Sequence, residues 1–225
     1  MDITSYLLGK NSSGGGGGGG SDLDWTALGF DNTPQDVLDI YKGINDDYDY
    51  SKEIQDTWIP KEDLNNMFAN NITLKYMPLV DTSITTNMSQ TFRSSGLRKI
   101  ALLNTSNVTT MYRTFQGSNL TTIPLFDTKN VTNMQQTFMS INTLENVPLL
   151  NTSKVTNMVN MFANDTALTD QSLDNILQMC INATSYTGTK TLSTLGFVST
   201  NYSAERIQSL SNYQTFIDAG WTIGY

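Results

Sequence analysis

Phenylalanine recurs at Phe68, Phe92, Phe115, Phe138 and Phe162, at spacings of 24, 23, 23 and 24 residues. Four residues before each stands Leu64, Met88, Met111, Met134 or Met158. A leucine follows at Leu74, Leu97, Leu120, Leu144 and Leu168. Next comes an apolar run: Met77-Pro78-Leu79-Val80, Ile100-Ala101-Leu102-Leu103, Ile123-Pro124-Leu125-Phe126 and Val147-Pro148-Leu149-Leu150. Each run ends in an acid or amide plus threonine: Asp81-Thr82, Asn104-Thr105, Asp127-Thr128 and Asn151-Thr152. So many fixed offsets exclude chance and require a stacked repeat architecture.

One unit can be read physically. Met134 and Phe138, four apart, share a face of a short helical turn. The leucine and the Ile-x-Leu pair alternate as a short strand does. About five apolar side chains per unit enter a common interior, too few for one unit to fold alone. Stacking supplies the rest, and the ends need covers. The Asx-Thr steps make tight corners, because these side chains bond neighbouring backbone groups; a polar binding stripe is the alternative. Pro78, Pro124 and Pro148 lack the N–H of a full parallel ladder, so any strand there is short or interrupted.

Around the repeats the chain divides further. Residues 1–10 (MDITSYLLGK) form a short peptide, followed by a glycine-rich stretch over 11–21 with seven glycines from Gly14 to Gly20. Such a run costs much backbone entropy to order and reads as a tether spanning about 17 to 20 Å. It is no phosphate loop, lacking a closing GK[ST]. Residues 1–10 are then either an attachment peptide, with Ile3, Tyr6, Leu7 and Leu8 as its apolar contacts, or a loose end. Residues 22–62 read as a helical cap, with Thr33-Pro34-Gln35-Asp36 as a helix start. Asn45-Asp46-Asp47-Tyr48-Asp49 faintly resembles a calcium loop, but Tyr50 and Asp56 stand where glycine and glutamate are required; a solvated acidic turn is the simpler account. Residues 63–170 are the repeats. Residues 171–225 are a C-terminal cap, with one helix over Ser172–Ala183 and another opening at Ser203.

Composition excludes several functions. The net charge is −8 with a pI near 4.4, and no Lys/Arg cluster stands out along the chain. Nucleic acid is therefore not expected as a partner. With no histidine, the commonest general base and metal ligand is missing. Cys180, the only cysteine, sits among apolar residues and reads as a small buried hydrophobe. No run approaches the roughly 20 apolar residues of a membrane span, and the first residues do not read as a secretory signal. No carboxylate pair stands in a context that would part its pKa values for glycoside hydrolysis. No catalytic residue, metal ligand or cofactor is expected.

The pattern V-T-N-M-x-x-T/M-F followed by L-x-x-I/V-P-L-x-D/N-T-S, carried by residues 64–170, resembles the BspA-type leucine-rich repeats of bacterial surface and secreted proteins. The cysteine many such repeats carry after the phenylalanine is replaced here by Gln116-Gly117, Met139-Ser140 and Ala163-Asn164. The ending SLDNILQMCINAT to AGWTIGY is similar to the closing segment of related proteins in bacteriophages of Gram-positive hosts. MDITSYLLGK plus polyglycine is similar to the start of small virion proteins. The resemblance implies an α/β repeat fold: a short right-handed leucine-rich-repeat solenoid of about five ~23-residue units with helical N- and C-terminal caps. It also implies an adhesive or virion-associated role without catalysis.

The expected function is a non-enzymatic phage structural or accessory protein on the particle exterior. Residues 1–10 would contact other virion proteins, and the repeats would bind a host-surface glycan or protein, with a homo-oligomer conceivable. The alternative is a bacterial surface or secreted adhesin. The strand face is the usual binding surface. Tyr76, Lys99, Thr122 and Asn146 would line it, with Phe126, Val80, Leu103 and Leu150 either at its far end or in a second buried row.

Overall fold

The structure, a computed structural model, describes residues 58–197 and 201–224. The expected anchor (Ile3, Tyr6, Leu7, Leu8), the glycine tether and the helical segment before residue 58, with its acidic turn, lie outside these residues.

The α/β leucine-rich-repeat solenoid with helical caps is overturned. Regular secondary structure is sparse among the described residues. It comprises two paired parallel strands of two residues each, β1 (Tyr76–Met77) and β2 (Lys99–Ile100). Three α-helices follow, α1 (Asp170–Asn182), α2 (Ala204–Gln208) and α3 (Tyr213–Asp218), with a 3-10 turn at Leu192–Leu195. No strand-plus-helix unit recurs along residues 63–169.

The backbone explains why the expected helical turns do not form. Non-glycine residues adopt left-handed φ at Asn66 and Asn70, Gln90 and Ser94, Arg113, Gln136 and Ser140, and Asn160 and Asn164. Gly117 takes the matching place after Arg113 with φ 66°. Each such residue interrupts a right-handed helix. The hydrogen bonds follow suit. The N–H groups of Met88, Gln90, Phe92 and Ser94 donate to the carbonyls of Thr110, Tyr112, Thr114 and Gln116, in the next segment, at 2.7–3.1 Å. Between them, Thr91 and Arg93 donate to Met88 and Gln90, three residues back. Within these segments the backbone does not close i to i−4 bonds, yet the pairs four apart (Met88 and Phe92, Met134 and Phe138) are buried together.

The core is a column of rings. Phe68, Phe92, Phe115, Phe138 and Phe162 stack nearly parallel, with neighbouring centroids 5.4–5.7 Å apart. Met88, Met111, Met134 and Met158 lie beside them, with Leu74, Leu97, Leu120, Leu144 and Leu168 buried in the same interior. Buried hydroxyls tie successive layers together. Thr82 Oγ1 donates to Asn104 O at 2.9 Å, Thr105 to Asp127 O at 3.0 Å, and Thr128 to Asn151 O at 2.8 Å.

The C-terminal segment closes the last layer. Asn160 and Phe162 donate to the carbonyls of Thr194 and Leu195 at 2.7 and 3.0 Å, where the next layer's turn would stand. Helix α1 starts earlier than the sequence suggested. Thr169, not Ser172, is the N-cap, its hydroxyl accepting from the Ser172 N–H. Ser172 lies inside the first turn and is buried. Ser203 does cap α2, but the second helix expected there splits into α2 and α3. Cys180 is buried within α1, and burial pushes its thiol pKa up.

Candidate functional site

Four rows of polar side chains run across the layers, and most are committed to the scaffold. Asp81, Asn104, Asp127 and Asn151 accept, through Oδ1, the N–H two residues on, at 2.9, 3.1, 3.2 and 3.0 Å. They are corner-makers. A second row does the same at the start of each unit: Asp63, Asn87, Asn133 and Asn157 accept at 2.7–3.2 Å, with Thr110 in the equivalent place. These same residues form parallel bridges, Asp63 to Asn87 to Thr110 to Asn133 to Asn157. This second corner falls in the V-T-N-M step, where none was expected; its signal is the repeated Asn two residues before an amide needing an acceptor. The exposed threonines Thr86, Thr109, Thr132 and Thr156 are occupied too. Each hydroxyl donates to the preceding layer's carbonyl at 3.1–3.3 Å.

The fourth row is different. Tyr76 and Lys99 sit opposite each other in the β1–β2 register, and Thr122 and Asn146 form a bridge. Between β2 and the third layer the ladder is carried instead by Asn119 N–H donating to Leu97 O at 2.8 Å. Arg98 and Lys99 both donate their backbone N–H to Lys75 O, at 2.8 and 3.2 Å. Inward, Met77, Ile100, Ile123 and Val147 are buried. Outward, the side chains of Arg98, Lys99, Thr121, Thr122 and Asn146 make no hydrogen bond or ion pair with another described residue. These five side chains thus keep all their donors and acceptors, whereas each corner residue has at least one acceptor committed to the backbone.

Two elements hold this row. Gly96 leaves no room for a side chain: a Cβ would lie 2.2 Å from Ile72 O and 2.7 Å from Lys75 Nζ. Lys75 Nζ itself donates to Ile72 O at 2.6 Å, which anchors its stem at the first layer. At the far end, α1 supplies side chains where another strand would be. Ser172 Oγ accepts the Val147 N–H at 2.9 Å and donates to Glu145 O at 2.7 Å. Asn175 Nδ2 donates to Val147 O at 2.9 Å.

Phe126 is not a surface residue. It is 2% exposed and stacks on Phe115 at 5.9 Å. Val80, Leu103 and Leu150 are buried likewise, so this set is the second inner row. Its outward neighbours Leu125 and Leu149 are exposed instead.

Residues 62–176 match the family described as Mycoplasma protein of unknown function, DUF285. The chain belongs to that family. The DUF285 span opens one residue before the Asp63 corner and ends inside α1, beyond Ser172 and Asn175. It therefore takes in the phenylalanine column, both corner rows and the side chains that close the outward row. The DUF285 family is related to BspA-like repeat proteins, in keeping with the repeat resemblance. No curated protein and no solved structure matches the chain.

One buried group stands apart from this row. Asp165 is 1% exposed; its Oδ1 accepts the Ile141 N–H at 2.7 Å, and its Oδ2 has no partner. Burial raises its pKa to about 9, against the lowering effect of that N–H. Nearby Tyr202 is pushed up to about 12, chiefly by burial, while its hydroxyl accepts the Leu168 N–H at 3.1 Å. No group of three or more His, Cys, Asp or Glu is placed to hold a metal among the described residues.

Proposed function

We propose that this DUF285 protein is a non-enzymatic display module. It is a phage structural or accessory protein on the particle exterior, joined to other virion proteins by residues 1–10, with Ile3, Tyr6, Leu7 and Leu8 as the contacts. The stacked block presents the Tyr76–Lys99–Thr122–Asn146 row to a host-surface glycan or protein. One observation carries the reading: residues 1–10, with their apolar Ile3, Tyr6, Leu7 and Leu8, are set apart from the rest of the chain, and so from the repeat block, by a stretch holding seven consecutive glycines. That layout separates attachment from display, because a glycine run lets the block move without straining the peptide's contact. The test is deletion of residues 1–13 followed by assay of purified particles. Loss of the protein from the particles is expected. Undiminished incorporation would sink the anchor.

A bacterial surface or secreted adhesin is the second reading, favoured by the family description, which names Mycoplasma. Recovery of the protein from the envelope or medium of an uninfected cell, and not from particles, would replace the first reading with this one.

A further inference from the structure

Charge is distributed unevenly along the chain, and the fold gathers part of it. Residues 1–57 hold eleven acidic residues against three lysines, which accounts for the whole net charge of −8. The remainder is neutral overall, with ten of each sign. Within it, Lys75, Arg98 and Lys99 are brought together by the β1–β2 register, although Lys75 lies 23 residues from Arg98. Adjacent strands lie about 4.8 Å apart, so the backbones of Lys75 and Arg98 are neighbours, joined by the Arg98 N–H to Lys75 O bond, and Lys99 follows opposite Tyr76. Arg98 and Lys99 have no acidic partner, whereas Lys129 and Arg206 pair with Asp127 and Asp170 at 2.7 and 2.8 Å.

The row changes character along its length. The first two layers are cationic, the third offers Thr121 and Thr122, and the fourth offers Asn146 beside Glu145. A ligand lying along it meets positive charge first, then hydroxyls and an amide. We propose that this row binds an anionic glycan: a sugar polymer carrying phosphate or carboxylate groups. Its charged substituents meet Lys75, Arg98 and Lys99, and its hydroxyls meet Thr121, Thr122 and Asn146. This rests on the display-module reading and names its ligand class. An acidic peptide fits less well, because the apolar side chains of the row point inward and leave no pockets for alternate residues of an added strand. Arg98 supplies a planar fork for phosphate or carboxylate, and the lysines act as point charges.

The test uses the full chain and four probes: poly(glycerol phosphate), polygalacturonate, neutral dextran and a short DNA duplex. Binding is measured by calorimetry at low and high salt. One or both anionic polymers should bind, more weakly as salt rises, and dextran should not; which polymer binds separates phosphate from carboxylate. Arg98→Gln with Lys99→Gln should lower affinity by about tenfold or more, as loss of two charged contacts does. Arg98→Lys, which keeps the charge but loses the fork, should bind between the intact protein and that double variant. Lys129→Gln with Lys154→Gln removes equal charge elsewhere and should change nothing. An unchanged thermal midpoint separates lost binding from lost fold. Failure of both polymers to bind, equal loss in the Lys129/Lys154 variant, or equally tight binding of the DNA duplex would overturn the proposal. Incorporation into particles should be unaffected by Arg98→Gln with Lys99→Gln, so the anchor reading stands or falls separately.

Discussion

Asp165 shows how one buried residue can make the stability of the whole stack sensitive to pH. Its folded pKa of about 9 lies above the ordinary carboxyl value of 3.8, so the native state holds a proton that the unfolded chain releases. Stability from this group is fully present below the unfolded pKa and is lost as pH rises from about 4 to about 9. The slope reaches at most about 1.4 kcal/mol per pH unit. Urea midpoints should therefore fall between pH 5 and pH 8. Asp165→Asn, which puts a neutral amide in the same place, should flatten that profile and be the more stable protein at pH 8. An unchanged slope in the variant would assign the pH dependence elsewhere. At the column, Phe115 has rings on both sides and Phe126 against it, and is fully buried. Phe115→Ala should cost about 3 to 5 kcal/mol in chemical denaturation. These residues were legible in unequal measure. The phenylalanines announced their burial by period alone. Phe126 did not, because the run Ile123-Pro124-Leu125-Phe126 offers three apolar candidates for two inward places, and only packing against Phe115 selects which leucine or phenylalanine turns in.

At the scale of elements, the paired left-handed residues replace the expected helix. Their consequence is measurable at Ser94, whose side chain is exposed and whose φ is 53°. The equivalent place in the next layer is Gly117, with φ 66°. Ser94→Gly should leave stability unchanged or raise it by up to about 1 kcal/mol. Ser94→Val should lower it by about 1 to 2 kcal/mol, because a β-branched residue resists that conformation. Thermal melts of both variants check this. Methionine and phenylalanine four apart look the same to a periodicity argument whether the intervening backbone is a helix or two successive turns, so the element type was not legible. The corner residues were, since Asx before an uncapped amide has one main use. The full cationic step was not legible by scanning along the chain: Lys75 becomes a neighbour of Arg98 and Lys99 only once layers 23 residues apart lie in register.

For the molecule as a whole, the C-terminal end of the stack carries its own cover. The last layer is covered by α1 and the Leu192–Leu195 turn, and Trp221, Phe216 and Tyr186 stack on one another in the closing segment. Removing residues 170–225 would strip the Val147 N–H and the carbonyls of Glu145 and Val147 of their Ser172 and Asn175 partners and uncover Phe162. The truncated chain should lose its cooperative thermal transition, since neighbouring layers supply most of each other's stability. A sharp transition within a few degrees of the intact protein would show that the layers hold without their cover.

The buried threonines carry a last consequence. Because the hydroxyls of Thr82, Thr105 and Thr128 each bond the corner carbonyl of the following layer, and the last of this set, Thr152, bonds Met179 O at 2.5 Å within α1, these layers present the same socket to their successors. A socket of that kind accepts any layer bearing the same pattern and rejects a fraction of one. Relatives should therefore differ in length by whole multiples of about 23 residues, as a ruler lengthens by graduations, with the terminal helix moved outward unaltered.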